Sequence, residues 1–153
     1  MKSLISLTFL LLLTSCASKY ISPTGVPLAK ITYMSASTYY TNFFGVPTNI
    51  FIHENADCNF TQSVGVLEHK KDKTSIFSVD IPAGKILYNS YRTTTTGANE
   101  ITFTYFATQF IPEEGREYEI TVSPFGEAVV RDVSSLRNEI VESSVAKEHI
   151  CKY

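Results

Sequence analysis

Ile101-Thr102-Phe103-Thr104-Tyr105-Phe106-Ala107-Thr108 is the stretch that decides the fold. Ile101, Phe103, Tyr105 and Ala107 alternate with Thr102, Thr104, Phe106 and Thr108, a period of two. That period sends successive side chains to opposite faces of a strand, and β-branched and aromatic residues suit the pleat. Working outward, Phe77, Val79 and Ile81 alternate with Ser78 and Asp80. Tyr118, Ile120 and Val122 alternate with Glu119, Thr121 and Ser123. Residues 28–34, 49–53, 85–92 and 127–133 read as further strands. About seven strands separated by Gly-, Pro- or Asn-containing turns predict an all-β chain, an antiparallel sandwich with one face of each sheet packed inward. Residues 134–144 carry Leu136, Ile140 and Val141 on a rough helical stripe behind a Ser134 cap, which predicts one short C-terminal helix.

Two turns share a pattern: Ile81-Pro82-Ala83-Gly84-Lys85 and Ile111-Pro112-Glu113-Glu114-Gly115-Arg116, followed by Tyr88 and Tyr118 respectively. Proline fixes φ at the entrance and glycine accepts a positive φ at the exit. Gly115-Arg116-Glu117-Tyr118 resembles the corner of fibronectin-III and immunoglobulin-like sandwiches, where a tyrosine hydroxyl bonds back to nearby backbone. That resemblance implies a structural role for Gly115 and Tyr118. The two turns together resemble those of small bacterial lipoproteins of unknown function, which implies an immunoglobulin-like or prealbumin-like sandwich. The chain has no tryptophan and lacks the cysteine spacing of antibody domains.

The N-terminus begins with Lys2 and an apolar run from Leu4 to Leu13. About ten apolar residues fall short of the ~20 needed to span a hydrocarbon core of ~30 Å. The run therefore reads as a secretory signal. Its ending, Leu13-Thr14-Ser15-Cys16, resembles the lipobox of bacterial lipoproteins. The resemblance implies cleavage before Cys16, lipid attachment at Cys16 and a membrane anchor. Residues 1–15 are then a signal, 16–27 a tether broken by Pro23, Gly25 and Pro27, and 28–153 the sandwich. Such a tether reaches at most ~40 Å. By similarity to sorted lipoproteins of double-membraned bacteria, Ala17 after the cysteine implies the outer membrane, facing the periplasm.

With lipid on Cys16, Cys58 and Cys151 remain as an even pair in an oxidising compartment. A disulfide between them is the simplest reading, and two unpaired thiols the other. The bridge would close a loop of about 90 residues, for which chain entropy gives ~4–5 kcal/mol. A formal net charge of −2 over 153 residues, with no solid basic cluster, argues against nucleic acid as a partner. Lys70-Lys71-Asp72-Lys73 is interrupted by an acid and reads as a solvated turn.

The remaining search for chemistry returns little. His53, His69 and His149 form no metal-spaced motif. His149 with Cys151, or His53 with Cys58, would supply two donors each, fewer than a zinc or copper site needs. There is no nucleophile elbow and no phosphate loop. Glu113, Glu114, Glu117 and Glu119 crowd one turn and strand, where a glycosidase needs acids facing each other across a cleft. The sequence thus predicts no enzyme, cofactor or metal. The aromatic segment around Tyr39, Tyr40, Phe43 and Phe44, with Thr41 and Asn42 between, has the composition of a binding loop. A competing reading has those rings capping the core. Three functional classes follow: a binding or envelope-assembly accessory, with a protein or envelope-component partner; an inhibitor or immunity protein that blocks a periplasmic enzyme or toxin; and, behind these, a metal-binding protein that would draw on His149, Cys151, His53 and Cys58 with the thiols unpaired.

Overall fold

The alternating stretch forms the edge strand of one sheet in the computed structural model, which describes residues 18–36, 46–55, 61–70, 73–97, 100–134 and 138–143. The ten strands among these residues are β1 (Ser18–Lys19), β2 (Leu28–Ser35), β3 (Val46–His53), β4 (Gln62–His69), β5 (Ile76–Pro82), β6 (Leu87–Thr96), β7 (Ile101–Phe110), β8 (Glu117–Val122), β9 (Ala128–Asp132) and β10 (Glu139–Ser143). β7 pairs antiparallel with β6 without a break, from Leu87↔Phe110 to Thr96↔Ile101. Thr93, Thr94, Thr95 and Thr96 on β6 suit this hairpin because β-branched side chains favour the extended backbone.

Two five-stranded sheets result, ordered β1-β4-β3-β6-β7 and β10-β9-β8-β2-β5. Most pairings are antiparallel, but β1 runs parallel to β4 and β2 parallel to β8, so both sheets are mixed where a purely antiparallel sandwich was expected. An immunoglobulin sandwich places strands A, B, E and D in one sheet and C, F and G in the other. Lettering β2 to β9 as A to H gives C-B-E-F facing D-A-G-H. This order differs from the immunoglobulin one, and the fold is an all-β sandwich of two mixed sheets.

Three strands were not expected. β4 was hidden because its core-packed residues Val64 and Leu67 are three apart, with the exposed Val66 between them, which breaks the period of two. Its pairing with β3 shifts register between Ile50 and Phe51, so a bulge absorbs the odd residue. β1 spans two residues only. β10 replaces the expected helix: after Asn138 turns the chain at φ 49°, Glu139 pairs with Asp132 and the segment extends the sheet beside β9. Ile140 and Val141, read as a helical stripe, are exposed on that edge.

The core lies between the sheets. Ile31, Tyr33, Ile120 and Val130 from one sheet meet Ile50, Leu67, Tyr91 and Phe106 from the other, all fully buried. On β7 the inward set is Phe106, Thr108 and Phe110, whereas Ile101 and Phe103 are largely exposed. Tyr91 stacks on Phe106 with ring centroids 4.9 Å apart, and Tyr33 stacks on Phe77 at 5.3 Å. The outer face of the β10-β9-β8-β2-β5 sheet is polar. There Thr32 meets Ser78 at 2.8 Å and Lys30 meets Glu117 at 3.4 Å.

β2, β4, β6, β8 and β10 start at one end of the sandwich, and β3, β5, β7 and β9 finish there. Ser18 pairs with Gln62 at this same end, which we call the entry end. The stretch expected as a tether is attached from Ser18 onward. Tyr20 N–H donates to the Ser63 carbonyl at 2.8 Å, and its hydroxyl donates to the Asp80 carbonyl at 2.9 Å. One segment thus touches both sheets.

Gly65 on β4 lies tight against the other sheet: a Cβ there would lie 2.7 Å from Cζ of Phe77 on β5. Because Phe77 is held by its stack on Tyr33, the ring has no cheap way to move. Gly65→Ala is expected to destabilise the fold by ~1–3 kcal/mol, as overpacking does. Gly65→Ala with Phe77→Leu should recover part of that loss in denaturant melts. An unchanged melt for Gly65→Ala would show that the sheets have slack there.

Candidate functional site

Cys16, Cys58, Cys151, Tyr39, Tyr40, Phe43 and Phe44 lie outside the described residues. The flanks of the aromatic segment are firmly held. Ser35 N–H donates to the Ser75 carbonyl at 2.9 Å, Ser75 N–H donates to Ser35 Oγ at 2.8 Å, and Ala36 N–H donates to the Val122 carbonyl at 2.7 Å. Val46, where the described chain resumes, pairs with His69. Both flanks sit at the end opposite the entry end.

Gly115 and Tyr118 stand where β7 crosses to β8 in the other sheet. Gly115 takes φ 72°, and its N–H donates to the Leu28 carbonyl at 2.9 Å. The buried Tyr118 ring tilts against Phe110 at 5.1 Å, and its hydroxyl accepts the Glu113 N–H at 3.0 Å. Burial raises the Tyr118 pKa despite that N–H. The acids around this corner serve structural pairs. Arg116 bridges Glu113 at 2.9 Å and Asp132 at 2.6 Å. Burial works against the Asp132 carboxylate, but the Ser134 N–H and hydroxyl and the Arg116 guanidinium outweigh it and lower its pKa.

A cleft of about 480 Å³ opens at the entry end, between the N-terminal segment and the end of β3. Its wall is largely apolar: Tyr20, Ile21 and Pro23 face Ile52, Ile86 and Leu87, with Glu54 and Lys85 also lining it. Burial pushes the Tyr20 hydroxyl up to about 12, with the Asp80 carboxylate acting in the same direction and Ser22 opposing. His53 also lines the cleft, and both its ring nitrogens are occupied, Nε2 with Ser90 Oγ at 2.6 Å and Nδ1 with Thr61 Oγ1 at 3.0 Å. Engaged twice and with its pKa lowered by burial, this imidazole is a structural group.

His69 is the second buried histidine. Its Nε2 meets Thr48 Oγ1 at 2.9 Å, and Thr48 meets Thr93 at 2.7 Å. Nδ1 makes no full hydrogen bond, although the Ala36 carbonyl favours the protonated ring. Burial dominates and lowers the pKa. Among the described residues no three His, Cys, Asp or Glu gather as a metal group, and no helix is long and apolar enough to cross a membrane. Sequence reasoning passed over the cleft because its walls come from distant segments. A hint lay in Ile21-Ser22-Pro23 and Pro82, which flank strand positions with aliphatic and proline residues.

Comparison of the chain with family models, curated proteins and solved structures gives no match. The buried histidines give the geometry a measurable consequence. Both have pKa values below the unfolded 6.5, so just below that pH the unfolded chain binds more protons than the folded one. Stability therefore rises with pH through this window and is lost as pH falls through it. Asp132 adds loss in the same direction at lower pH, as its carboxylate protonates below the ordinary 3.8. The melting temperature is expected to fall from about pH 7 to about pH 5, and His69→Gln should flatten that slope. A melting temperature independent of pH over this range would contradict the burial of neutral imidazoles.

Proposed function

We propose that this chain is a lipid-anchored envelope protein, a non-enzymatic binding or envelope-assembly accessory built on a sandwich at the periplasmic face of the outer membrane. The observation that carries this reading is Leu13-Thr14-Ser15-Cys16 behind a short apolar run and Lys2. An N-acyl chain together with a diacylglyceryl thioether provides more than the single chain that holds a protein only marginally. Supporting it, Ser18 is already paired with β4 two residues after Cys16, which suits a body held close to its anchor. The partner is a protein or envelope component, and its contact is assigned to Tyr39, Tyr40, Phe43 and Phe44. The flanks of that segment, Ala36 and Val46, lie at the end away from Ser18. Rigid aromatics among small polar residues make good interface anchors. A Cys58–Cys151 bridge belongs to the same reading, since the compartment is oxidising.

The second reading, an inhibitor or immunity protein, uses the same loop to block one periplasmic enzyme or toxin. Co-purification from detergent-solubilised membranes separates the two: several envelope proteins favour assembly, and a single stoichiometric hydrolase favours inhibition. Anchoring itself is tested by intact mass. The mature chain should begin at Cys16 and carry acyl mass, and Cys16→Ser should appear in the soluble periplasmic fraction or persist as uncleaved precursor. A mature N-terminus elsewhere without added mass would reject the reading.

A further inference from the structure

Among the exposed aliphatic side chains of the entry end, Val133 follows β9, and four lie on the adjoining loops, Ile21 at 81%, Val26 at 44%, Ile86 at 48% and Ile111 at 55% of full exposure. They project from three neighbouring segments that are tied together by backbone. Ala83 N–H donates to the Pro27 carbonyl at 2.9 Å, Gly84 N–H to the Pro112 carbonyl at 2.8 Å, and Gly115 N–H to the Leu28 carbonyl at 2.9 Å. Pro23, Pro27, Pro82 and Pro112 border the aliphatics in sequence and restrict the same backbone. The result is a stiff apolar tip, and little conformational freedom is lost when it meets a surface.

Exposed aliphatics alone do not identify what covers them; Ile76, Ile101 and Phe125 are exposed at the opposite end as well. The difference is where the chain enters. Ser18 pairs with Gln62 at the entry end, and two residues of chain, ~7 Å at full extension, separate it from Cys16. We infer that the four loop aliphatics of the entry end rest in the interfacial layer of a lipid bilayer, which stands the sandwich upright on the membrane. This rests on the proposed lipid attachment at Cys16. The remote end, with Ala36 and Val46, then faces the compartment.

Charge selects the kind of lipid surface. Lys19, Lys30, Lys85 and Arg116 at this end are offset by Glu54, Glu113, Glu114, Glu117 and Asp132. Basic patches draw proteins to anionic lipids, and this tip is not one. Its binding follows buried apolar area, so it takes neutral headgroups and resists salt.

The chain contains no tryptophan, so a single introduced one is a clean probe. The full-length protein, with Ile86→Trp, Ile111→Trp or Ile101→Trp, is purified and reconstituted into phosphatidylcholine vesicles containing brominated acyl chains. Intact mass reads acylation at Cys16 separately. The Ile86→Trp and Ile111→Trp proteins are expected to show blue-shifted emission that the bromines quench, and the Ile101→Trp protein to emit unquenched. Raising the salt should leave the quenching unchanged. Acylated protein in which the entry-end probes emit unquenched, or in which only the Ile101→Trp probe is quenched, overturns the orientation. If Cys16 proves unmodified, the lipid-attachment reading fails, and the same vesicles still decide the tip. Quenching of the entry-end probes then shows insertion on its own, and its absence overturns the inference.

Discussion

A buried polar bridge between the sheets is the interaction on which the rest of this structure depends. The Tyr33 hydroxyl on β2 donates to Asn89 Oδ1 on β6 at 2.8 Å, across the interior. Asn89 Nδ2 donates onward to Thr108 Oγ1 at 3.3 Å, and the same hydroxyl oxygen lies 2.9 Å from the Tyr91 hydroxyl. All four residues are buried, so water cannot replace any partner. Burial raises the Tyr91 pKa, in part offset by Thr108, and raises that of Tyr33 as well. Both phenols therefore stay protonated and able to donate. Hydrophobic burial tolerates sliding of one sheet over the other, because it is not directional. A buried hydrogen-bond chain does not, since each shift strands a polar group at ~1–3 kcal/mol.

From this constraint the two ends of the sandwich follow. With β2 set against β6, the strands that start together place Ser18, Leu28, Leu87 and Glu117 at one end and Ala36 and Val46 at the other. The corner at Gly115 and Tyr118 and the ties from Ala83 and Gly84 then close the entry end. A proposed lipid anchor at one end and a proposed aromatic contact loop at the other divide the molecule into a membrane side and a partner side. Fold alone does not decide what that partner is.

The strand alternation at β5, β7 and β8 was readable because each has one buried face, which leaves a period of two in the sequence. The direction of those faces was less so. On β7 the apolar set Ile101, Phe103, Tyr105 and Ala107 looks like the buried one, yet Phe106 and Phe110 face the core. There they share the interior with Tyr91 and Tyr118, and Thr108 gives Asn89 an acceptor. Phe103 is kept outside, with the Arg92 guanidinium 6.0 Å from its ring centroid and 5.7 Å from that of Phe51. β4 was lost to its bulge, and β10 to aliphatics that sit on an exposed edge. The proposed lipid attachment rests on a local motif, Leu13-Thr14-Ser15-Cys16, that needs no fold to be read. The apolar tip was not, because Ile21, Val26, Ile86 and Ile111 are far apart in sequence and each looks like an ordinary residue beside a strand.

The central claim is that the Tyr33–Asn89 hydrogen bond fixes how the sheets face, and a double-mutant cycle tests it most directly. Equilibrium denaturant melts would compare the wild type with Tyr33→Phe, Asn89→Leu and the double variant. Each single change leaves a buried polar group without its partner and should cost ~1–3 kcal/mol or more, whereas the double change removes both members of the pair. The account predicts a double variant more stable than the sum of the single losses implies, by ~1 kcal/mol or more of coupling. Losses that simply add would contradict it: the two residues would then be packing independently, and some other contact would set the sheets.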